Sequence, residues 1–492
     1  MNIKLMFLLT LAFPVIAGLL AGLLPGFRRN VKACRVFTGI ALVMTSAGMI
    51  WSVLNLGGQE LVLWQLTANI PVLLKMDDLS RVFCMLVAVM WPLAGIYSFE
   101  YMAHEKEEHR FDAFFLVTMG VLSALTQAGN LVTFYMFYEA MTLVTLPLVL
   151  HTRTKEAIAA GIKYLVYSVF GASAALLGIF FMNRYCDGLA FVAGGTVNAE
   201  MIAGHEPLLL VITMIMLLGF GTKAGMFPLH GWLPTAHPAA PAPASAVLSG
   251  VITKMGVLGV IRVAFYVVGA DRIRGTWVQT VWMILTLITV FMGSMMALKE
   301  DTFKKRLAYS SVSQVSYILF GLSTLTADGM TGSLLHVVFH SAIKITLFMT
   351  AGAVICKTGI TQVSEMKGIG KRMPVIFTLF TVVSLGLIGI PPTGGFISKW
   401  YLAGGAMTLD NAFAWIGPAV LLISAILTAA YLLTVTVRGF FPGKDLTENG
   451  EKVKTTVLMW GPMLLLALFT LIAGMFPDML ITFFRNIAGT VM

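Results

Sequence analysis

The amino-acid sequence predicts an all-α polytopic membrane protein. Of its 492 residues, 58% are hydrophobic and only 11% are charged, whereas a soluble domain carries about 25% charged residues. Apolar runs of ~17–25 residues recur along the whole length, and each is long enough to cross the hydrocarbon layer of a bilayer as a helix. We therefore expect about fourteen transmembrane helices.

The predicted spans follow one another with short polar connections that leave no room for a soluble domain. The spans cover residues 4–24, 32–54, 79–99, 111–129, 131–150, 158–183, 208–227, 240–269, 277–298, 307–324, 331–356, 374–407, 413–440 and 457–483. The eighth and the twelfth are too long for one straight crossing. We interpret the first as a retained helix rather than a signal peptide, because it lacks a convincing small-residue cleavage site.

Lysine and arginine are distributed unevenly between alternate loops. If the loop after the first span is cytoplasmic, most of these residues fall in loops on that side, as the positive-inside rule requires. Both termini then face outward across the inner (cytoplasmic) membrane. The same bias accounts for the net charge of +10, and no basic–aromatic patch predicts a nucleic-acid partner.

The chain has four cysteines, and they are scattered. No CxxC pair is present, which argues against an iron–sulfur cluster or structural zinc in this chain. We expect no cofactor here. If the protein belongs to a redox machine, its electrons run through other subunits.

Two proline-rich segments interrupt predicted helices. The first covers residues 227–238 and continues through Pro241 and Pro243, and the second covers residues 389–395. Proline removes a backbone donor and clashes with the preceding turn, so helices stop or kink there. Broken spans with nearby ionisable residues are typical of transporter sites, often in two inverted repeats. A repeat between the two halves is only weakly suggested here.

Eight ionisable side chains lie inside the predicted spans. They are Glu139, Lys163, Lys223, Lys254, His336, His340, Lys344 and Lys399. A charge at the middle of a bilayer costs roughly 2.5–3.5 kcal/mol on the insertion scale, so such residues are functional candidates by default. Five are lysines and one is a carboxylate, which favours a proton path built on amines over a binding site for a metal cation.

Glu139 is the only acidic residue that we place deep within a span. It could be a packing carboxylate paired with Lys163, or it could form a fixed salt bridge with Lys223. The alternative is a Glu139–Lys223 pair of variable separation, whose proton affinity switches because a nearby carboxylate raises a lysine pKa and burial lowers it.

The remaining lysines differ in depth. Lys254 lies in the span that follows the first break, and Arg262, nearer the outer end, is expected to snorkel to the interface. Snorkelling is also an alternative for Lys163, close to a cytoplasmic span end, and for Lys399, because the preceding break resets the helix.

His336, His340 and Lys344 are spaced i, i+4, i+8 and share one helix face. Such a stripe favours a hydrated proton relay, since imidazole passes a proton near neutral pH. A metal pair is the weaker alternative, because no carboxylate or cysteine lies in the same segment. His230 and His237, at the first break, could be structural or functional. The polar stretch 309–317 could hold water or merely pack helices.

These segments together resemble the antiporter-like membrane subunits of respiratory complex I, a family that includes the large Mrp cation/proton antiporter subunits and the ion-pumping subunits of membrane-bound hydrogenases. The matching motifs are Phe137-Tyr138-Glu139, Gly221-Thr222-Lys223-Ala224, His230-Gly231-Trp232-Leu233-Pro234, Ala236-His237-Pro238, Leu307-Ala308-Tyr309-Ser310-Ser311 and Gly389-Ile390-Pro391-Pro392, the last continuing to Gly395-Phe396 and Lys399. They extend from about residue 77 to 400.

The resemblance implies fourteen helices with two inverted five-helix repeats and two broken helices. The expected division is 1–110 for helices 1–3, 111–270 for the first repeat, 271–440 for the second repeat and 441–492 for the last helix. It also implies roles for single residues. Glu139 and Lys223 match the pair of the inward half-channel, with Lys163 beside it; Lys254 matches the central relay; His336 and His340 match the lateral histidines; Lys399 matches the lysine near the outward half-channel.

The resemblance implies a proton-translocating subunit of a multi-subunit complex, coupled to redox chemistry in other subunits that include related antiporter-like chains. The alternative is a subunit of an Mrp-type Na⁺/H⁺ antiporter. The chain ends soon after the last span, which favours the shorter members, the Mrp D-type or hydrogenase-linked ones. A membrane-embedded enzyme would need a nucleophile with a base or a metal site, and neither is found. A structural spacer is disfavoured because every expected proton-carrying residue is present.

Overall fold

The computed structural model describes residues 3–443 and 451–492, and it is mostly helical. The long helices are α1 Ile3–Leu23, α2 Val31–Asn55, α3 Asp78–Tyr101, α4 Glu108–Thr126, α5 Leu131–Val149, α6 Lys155–Tyr185, α7 Glu206–Ala224, α8 Leu233–Ala239, α9 Ala242–Val268, α10 Trp277–Lys299, α11 Phe303–Ser323, α12 Ala327–Thr358, α13 Pro374–Ile388, α14 Gly394–Met407, α15 Phe413–Phe440, α16 Val457–Met475 and α17 Asp478–Val491. Short helices cover Pro25–Arg29, Ala199–Ile202, Ala270–Ile273 and Ile369–Arg372.

Eleven of the described helices are long and apolar enough to cross a membrane. Two other predicted spans are present as the helices α4 and α11, which do not meet that criterion. A third, the predicted span 374–407, is divided into α13 and α14 where the sequence predicts the break. The protein is therefore a polytopic helical membrane protein, with α9 buried along its length at the centre.

The expectation of an all-α chain is wrong in one segment, because a β-hairpin joins α2 to α3. Strand β1, Glu60–Thr67, pairs antiparallel with β2, Ile70–Lys75. The hairpin is held against the start of α5. The side-chain amide of Asn130 donates to the Pro71 carbonyl at 2.6 Å, and the backbone amide of Leu73 donates to the Thr133 hydroxyl at 2.9 Å. The prediction rests on apolar runs of helix length, and such runs do not reveal two strands as short as these.

The last predicted span, 457–483, is also too long. Helix α16 ends at Met475, and the separate helix α17 begins at Asp478. On α17 the buried residues Phe484, Ile487, Ala488 and Val491 follow the spacing of one helix face. The segment is thus amphipathic rather than continuously apolar.

Both breaks are stabilised by side chains that satisfy freed backbone groups, as a lipid environment requires. Helix α7 ends at Gly225, whose φ of 81° is easy for glycine. There the Trp232 indole donates to the Thr222 carbonyl at 2.8 Å, and the Phe227 amide donates to the Thr289 hydroxyl at 2.9 Å. At the second break, the Leu387 carbonyl at the end of α13 accepts from an amine on α14 at 2.6 Å.

Arg262 does not snorkel to the interface as expected. It is 1% exposed, and its guanidinium donates to both carboxylate oxygens of Asp77 at 2.6 and 2.8 Å and to the Ser80 hydroxyl at 2.9 Å. Asp77 also caps the N-terminus of α3. The partner lies 185 positions away in sequence, so only the tertiary fold reveals the pair.

The Arg262 pair predicts an asymmetry between two adjacent aspartates. Asp77→Asn leaves a buried guanidinium uncompensated, which costs about 3–5 kcal/mol. The Asp78 side chain is 59% exposed and pairs only with Arg81. Asp78→Asn should therefore cost under about 1 kcal/mol. Thermal unfolding of the purified protein in detergent measures both, and equal melting temperatures for the two variants would contradict the burial of this pair.

Close backbone contact at the second break predicts a contrast between two glycines of α14. A Cβ on Gly395 would overlap the Gly386 carbonyl, whereas a Cβ on Gly404 would meet nothing within 4 Å. Gly395→Ala should therefore cost roughly 1–3 kcal/mol. Gly404→Ala should be neutral or stabilise the helix by up to about 1 kcal/mol. The same thermal assay applies, and an unchanged Gly395→Ala protein would refute the packing.

Candidate functional site

The Lys223 amine is enclosed by hydroxyl groups. Near the end of α7, it is 1% exposed and donates to the Thr142 hydroxyl at 2.9 Å, the Tyr164 hydroxyl at 2.9 Å and the Ser168 hydroxyl at 2.8 Å. The amine also faces the ring of Tyr164 at 4.3 Å from its centroid. Burying a charge without such partners is costly, so these contacts allow the amine to be charged inside the protein.

Glu139 lies three residues before Thr142 on α5. Its Oε1 is buried without a hydrogen-bond partner, and the side chain forms no ion pair within 4.0 Å in the described part of the chain. It remains close enough to Lys223 to interact electrostatically. Lys163 instead donates to the Thr235 hydroxyl at 3.1 Å. The structure thus shows neither a fixed Glu139–Lys223 salt bridge nor a Glu139–Lys163 pair.

Lys254 is fully buried on α9, two residues after the π-helical stretch Leu248–Ile252. Its amine donates to the Ser249 carbonyl at 2.6 Å and contacts Nδ1 of His340 at 2.7 Å. π-Helical turns are rare and frequent at functional sites. Since an ammonium has no lone pair, Nδ1 of His340 is the acceptor, which leaves the ring proton of neutral His340 on Nε2.

The two histidines on α12 have complementary hydrogen-bonding roles. Their rings stack with centroids 5.6 Å apart. Nδ1 of His336 lies 2.8 Å from the Ser398 hydroxyl, which itself donates to the Gly395 carbonyl at 3.0 Å. His336 therefore donates through Nδ1–H, and its Nε2 is an acceptor. Nε2 of both rings is buried without a partner, with a donor on His340 and an acceptor on His336.

Lys399, on α14, continues the series that begins with Lys254, His340 and His336. Its amine donates to the Leu387 carbonyl at 2.6 Å and to the Ile388 carbonyl at 2.9 Å. It also lies 5.0 Å from the ring centroid of Tyr317, which stacks on His336 at 5.7 Å. The amine is therefore held by the broken end of α13 and does not snorkel.

The structure thus brings four predicted residues, Lys254, His340, His336 and Lys399, into one row. Glu139 and Lys223 form a second cluster on α5 and α7. The two clusters meet where α7 and α9 pack together, because a Cβ on Gly256 would lie 2.7 Å from the Ala224 amide nitrogen. Lys163 lies outside both clusters.

Three other residues that the sequence singled out are also placed. The Lys344 amine is fully buried and donates to the Leu307 carbonyl at 3.0 Å. His237 is fully buried, with neither ring nitrogen hydrogen-bonded. The His230 ring stacks on Phe227 at 5.9 Å, and its Nδ1 is unpaired.

The polar stretch 309–317 packs helices at one position and leaves unpaired polar atoms at others. The Ser310 hydroxyl contacts the Tyr431 hydroxyl at 2.6 Å and so packs α11 against α15. By contrast, both amide atoms of Gln314 and the hydroxyl of Ser316 are buried without a partner. Such orphaned polar atoms are suited to binding water.

Sequence reasoning missed one buried acid. Asp112, on α4, is 3% exposed, and its Oδ2 accepts from the Thr38 hydroxyl at 3.3 Å. Glu139 is therefore not the only buried carboxylate within a predicted span, although Asp112 lies at one end of its span rather than deep within it. Asp112 lies at the start of its predicted span, where periodicity alone suggests an exposed interfacial position. Also missed were the hydroxyls around Lys223, which come from the two helices α5 and α6 and carry no linear motif.

No group of three or more His, Cys, Asp or Glu residues that could hold a metal ion occurs within residues 3–443 and 451–492. The four cysteines are unpaired, and Cys356 is the one that is not fully buried. The two clusters consist of amines, imidazoles, hydroxyls and one carboxylate, all of which can accept or donate protons.

The contact between Ser398 and His336 predicts a selective change in one histidine. Ser398→Ala removes the partner of Nδ1 on His336 and leaves the Lys254 contact of His340 intact. We expect the ¹⁵N NMR signals of one histidine ring to shift in histidine-labelled protein. His336→Gln, which deletes that ring's signals, provides the assignment. Unchanged spectra, or a shift confined to His340, would contradict this geometry.

The comparisons with known proteins agree with the fold. A family described as NADH:quinone oxidoreductase/Mrp antiporter matches residues 128–428, and one described as complex I chain 5 N-terminus matches residues 64–112. An NADH-quinone oxidoreductase subunit from Desulforudis audaxviator is 31% identical over 83% of each chain. A Na⁺/H⁺ antiporter subunit from Alkalihalophilus pseudofirmus is 26% identical over 95% of this chain and 93% of that protein.

Solved structures show the same fold. A chain of an archaeal membrane-bound sulfane sulfur reductase aligns with a TM-score of 0.86, and one of the Mrp complex from Dietzia aligns with a TM-score of 0.84, each at 22% identity over 99% of this chain. The first family match spans more than half of the sequence. The chain therefore belongs to the NADH:quinone oxidoreductase/Mrp antiporter family of membrane proteins.

Proposed function

We propose that this chain is a proton-translocating subunit of a larger membrane complex, and that it moves H⁺ along an axis of Glu139, Lys223, Lys254, the two α12 histidines and Lys399. The observation that carries the proposal is the row from Lys254 to Lys399. Lys254 contacts His340, His340 stacks on His336, and the Tyr317 ring lies between His336 and Lys399. Intramembrane groups of this kind mark proton relays.

In the proposed mechanism, Lys223 takes up the proton and Glu139 controls its release. The three hydroxyls hold the amine in place whether or not the carboxylate is near. Approach of the Glu139 carboxylate stabilises the charged amine, and its withdrawal favours release of the proton toward Lys254. A fixed salt bridge would trap the proton, so the separation observed here suits transport.

The stacked histidines pass the proton laterally. When Lys254 gives a proton to Nδ1 of His340, that ring can release the proton on its Nε2. His336 accepts the proton at its own unpaired Nε2, because its single ring proton is on Nδ1 and is donated to Ser398. His340 therefore gains a proton on Nδ1 and loses one from Nε2, and His336, once it is doubly protonated, carries the proton onward in the direction of Lys399. Mutual repulsion between positive charges along the row favours onward movement over accumulation.

The proposal also covers the number of membrane crossings and the repeats. We infer fourteen crossings, with residues 1–110 as an N-terminal unit, inverted repeats at 111–270 and 271–440, and a final unit at 441–492, of which residues 444–450 lie outside the described residues. This arrangement is supported by the two proline breaks, each followed by a helix that carries a lysine of the axis. The basic loops favour a cytoplasmic membrane with both termini outward.

The coupled chemistry lies in other subunits. A 31% identical relative is a subunit of an NADH-quinone oxidoreductase and another is Hydrogenase-4 component B of Escherichia coli, which supports a redox-driven complex with related membrane subunits as partners. The alternative is a subunit of an Mrp-type Na⁺/H⁺ antiporter, supported by the Alkalihalophilus relative. Sodium prefers several oxygen ligands, whereas the axis offers one carboxylate, so protons are the ion that this chain carries.

Substitution of two lysines tests the proposal. In the assembled complex in proteoliposomes, Lys254→Ala should abolish proton translocation, and Lys223→Ala should lower it strongly. A pH-sensitive dye reports the proton movement. Lys305→Ala is the matched control, since this partly exposed lysine pairs with Glu300 at 2.8 Å and should leave the rate unchanged. Undiminished translocation in both axis variants would refute the proposal.

The antiporter alternative has its own test. Expression of the complete set of neighbouring subunits in an antiporter-deficient host should restore growth in high sodium only if the complex exchanges Na⁺. We expect no rescue from a redox-driven complex. Rescue that is lost on Lys223→Ala would favour the antiporter alternative instead.

A further inference from the structure

We propose that the axis has a second proton inlet, which leads from a surface cavity through Lys304, His237 and Lys344 to Lys254 and bypasses Lys223. The inlet rests on the proposed function, because it supplies the same central lysine. It assigns a role to three buried ionisable groups that the path through Glu139 and Lys223 does not use.

The inlet begins at a cavity of about 200 Å³, which has room for several water molecules. Its lining includes Glu105, Thr152, Pro238, Thr302, Lys304 and Thr361. Glu105, Thr152, Thr302 and Thr361 lie in the connections α3–α4, α5–α6, α10–α11 and α12–α13, and Pro238 and Lys304 lie at the adjoining ends of α8 and α11. All of these positions are on the side that we propose faces the cytoplasm. Protons can therefore reach the cavity from the cytoplasmic side, as they reach the path through Glu139 and Lys223.

Lys304 forms the inner wall of this cavity. It is 7% exposed, and its amine donates to the Pro238 carbonyl at 3.2 Å and to the Ala240 carbonyl. Its neighbour Lys305 points elsewhere and pairs with Glu300. The amine of Lys304 is thus fixed at the junction of α8 and α9, beside His237.

His237 is the next group inward. It is fully buried, and both of its ring nitrogens lack a hydrogen-bond partner, which is unusual because buried polar atoms are nearly always paired. Its ring stacks on Phe348 at 4.7 Å, one turn from Lys344 on α12. Lys304 and Lys344 both lie within electrostatic range of the imidazole. A ring with two free nitrogens can accept a proton on one and release a proton from the other.

Lys344 connects this group to the axis. Its amine and the Ser311 hydroxyl donate to the same Leu307 carbonyl, each at 3.0 Å. The Ser311 hydroxyl contacts the Ser249 hydroxyl at 2.6 Å, and the Ser249 carbonyl accepts from Lys254 at 2.6 Å. Lys344 is also one turn from His340 on the same helix face. The Leu307 and Ser249 carbonyls only accept hydrogen bonds, so these contacts hold the two lysines in place. The proton itself crosses from Lys344 to Lys254, which lie within electrostatic range of each other, through water between the two amines. No contact of this connection involves Glu139 or Lys223.

Proton translocation by single and double variants of the assembled complex tests the second inlet. We expect Lys223→Ala to retain a measurable share of the rate, Lys344→Met and His237→Leu each to lose a share, and Lys223→Ala combined with Lys344→Met to lose all of it. Lys305→Met is the matched control. Complete loss in Lys223→Ala, with Lys344→Met and His237→Leu both at the unmodified rate, would overturn the inlet and leave the proposed function intact.

Lys254→Ala separates the two ideas. Undiminished translocation in both Lys254→Ala and Lys223→Ala would refute the proposed function, on which the inlet rests, whereas the outcome given above overturns the inlet alone.

Chemical blocking of the cavity tests the inlet without removing a buried group. Thr361 is exposed at the cavity rim, so Thr361→Cys in a Cys356→Ser background can be labelled with a membrane-impermeant cationic thiosulfonate. We expect labelling from the cytoplasmic side to slow the complex with Lys223 intact and to stop the residual translocation of Lys223→Ala. Residual translocation that survives labelling, or a cysteine that is inaccessible from that side, would overturn the inlet.

Discussion

The rest of the structure depends on one constraint: polar groups within the hydrocarbon layer cannot obtain hydrogen bonds from lipid. Helices satisfy most backbone groups, and the two breaks satisfy the rest through Trp232, Thr289 and Lys399. The same constraint applies to the buried amines, which take hydroxyl or carbonyl acceptors instead of carboxylates. An amine with neutral acceptors can gain or lose a proton without breaking an ion pair, and this property links the fold to transport.

Much of the fold could be predicted from the sequence, because spans and breaks depend on local signals. Apolar run length located nearly all the helices, and proline placed the division between α13 and α14. The β-hairpin and α17 were not predicted. The length of apolar runs does not reveal short strands, and it does not separate an amphipathic helix from an apolar helix that directly precedes it. The number of crossings and the repeats rest on the family resemblance.

The site was predictable in its residue types but not in its partners. Charged residues in apolar runs identify Lys254 and Lys399, and helical spacing places His336 and His340 on one face. Which atoms they contact depends on packing between helices distant in sequence. The same reason explains the error for Arg262, whose partner Asp77 becomes adjacent only in the folded chain, and the omission of Asp112.

The central claim is that the buried amines and imidazoles are joined by a continuous hydrogen-bonded path. The most direct measurement is a high-resolution electron cryomicroscopy map of the assembled complex in a lipid nanodisc, in which ordered water is visible. The account predicts water between Lys223 and Lys254 and between the Nε2 atoms of His340 and His336. A dry, apolar gap at either place in every captured state would contradict it.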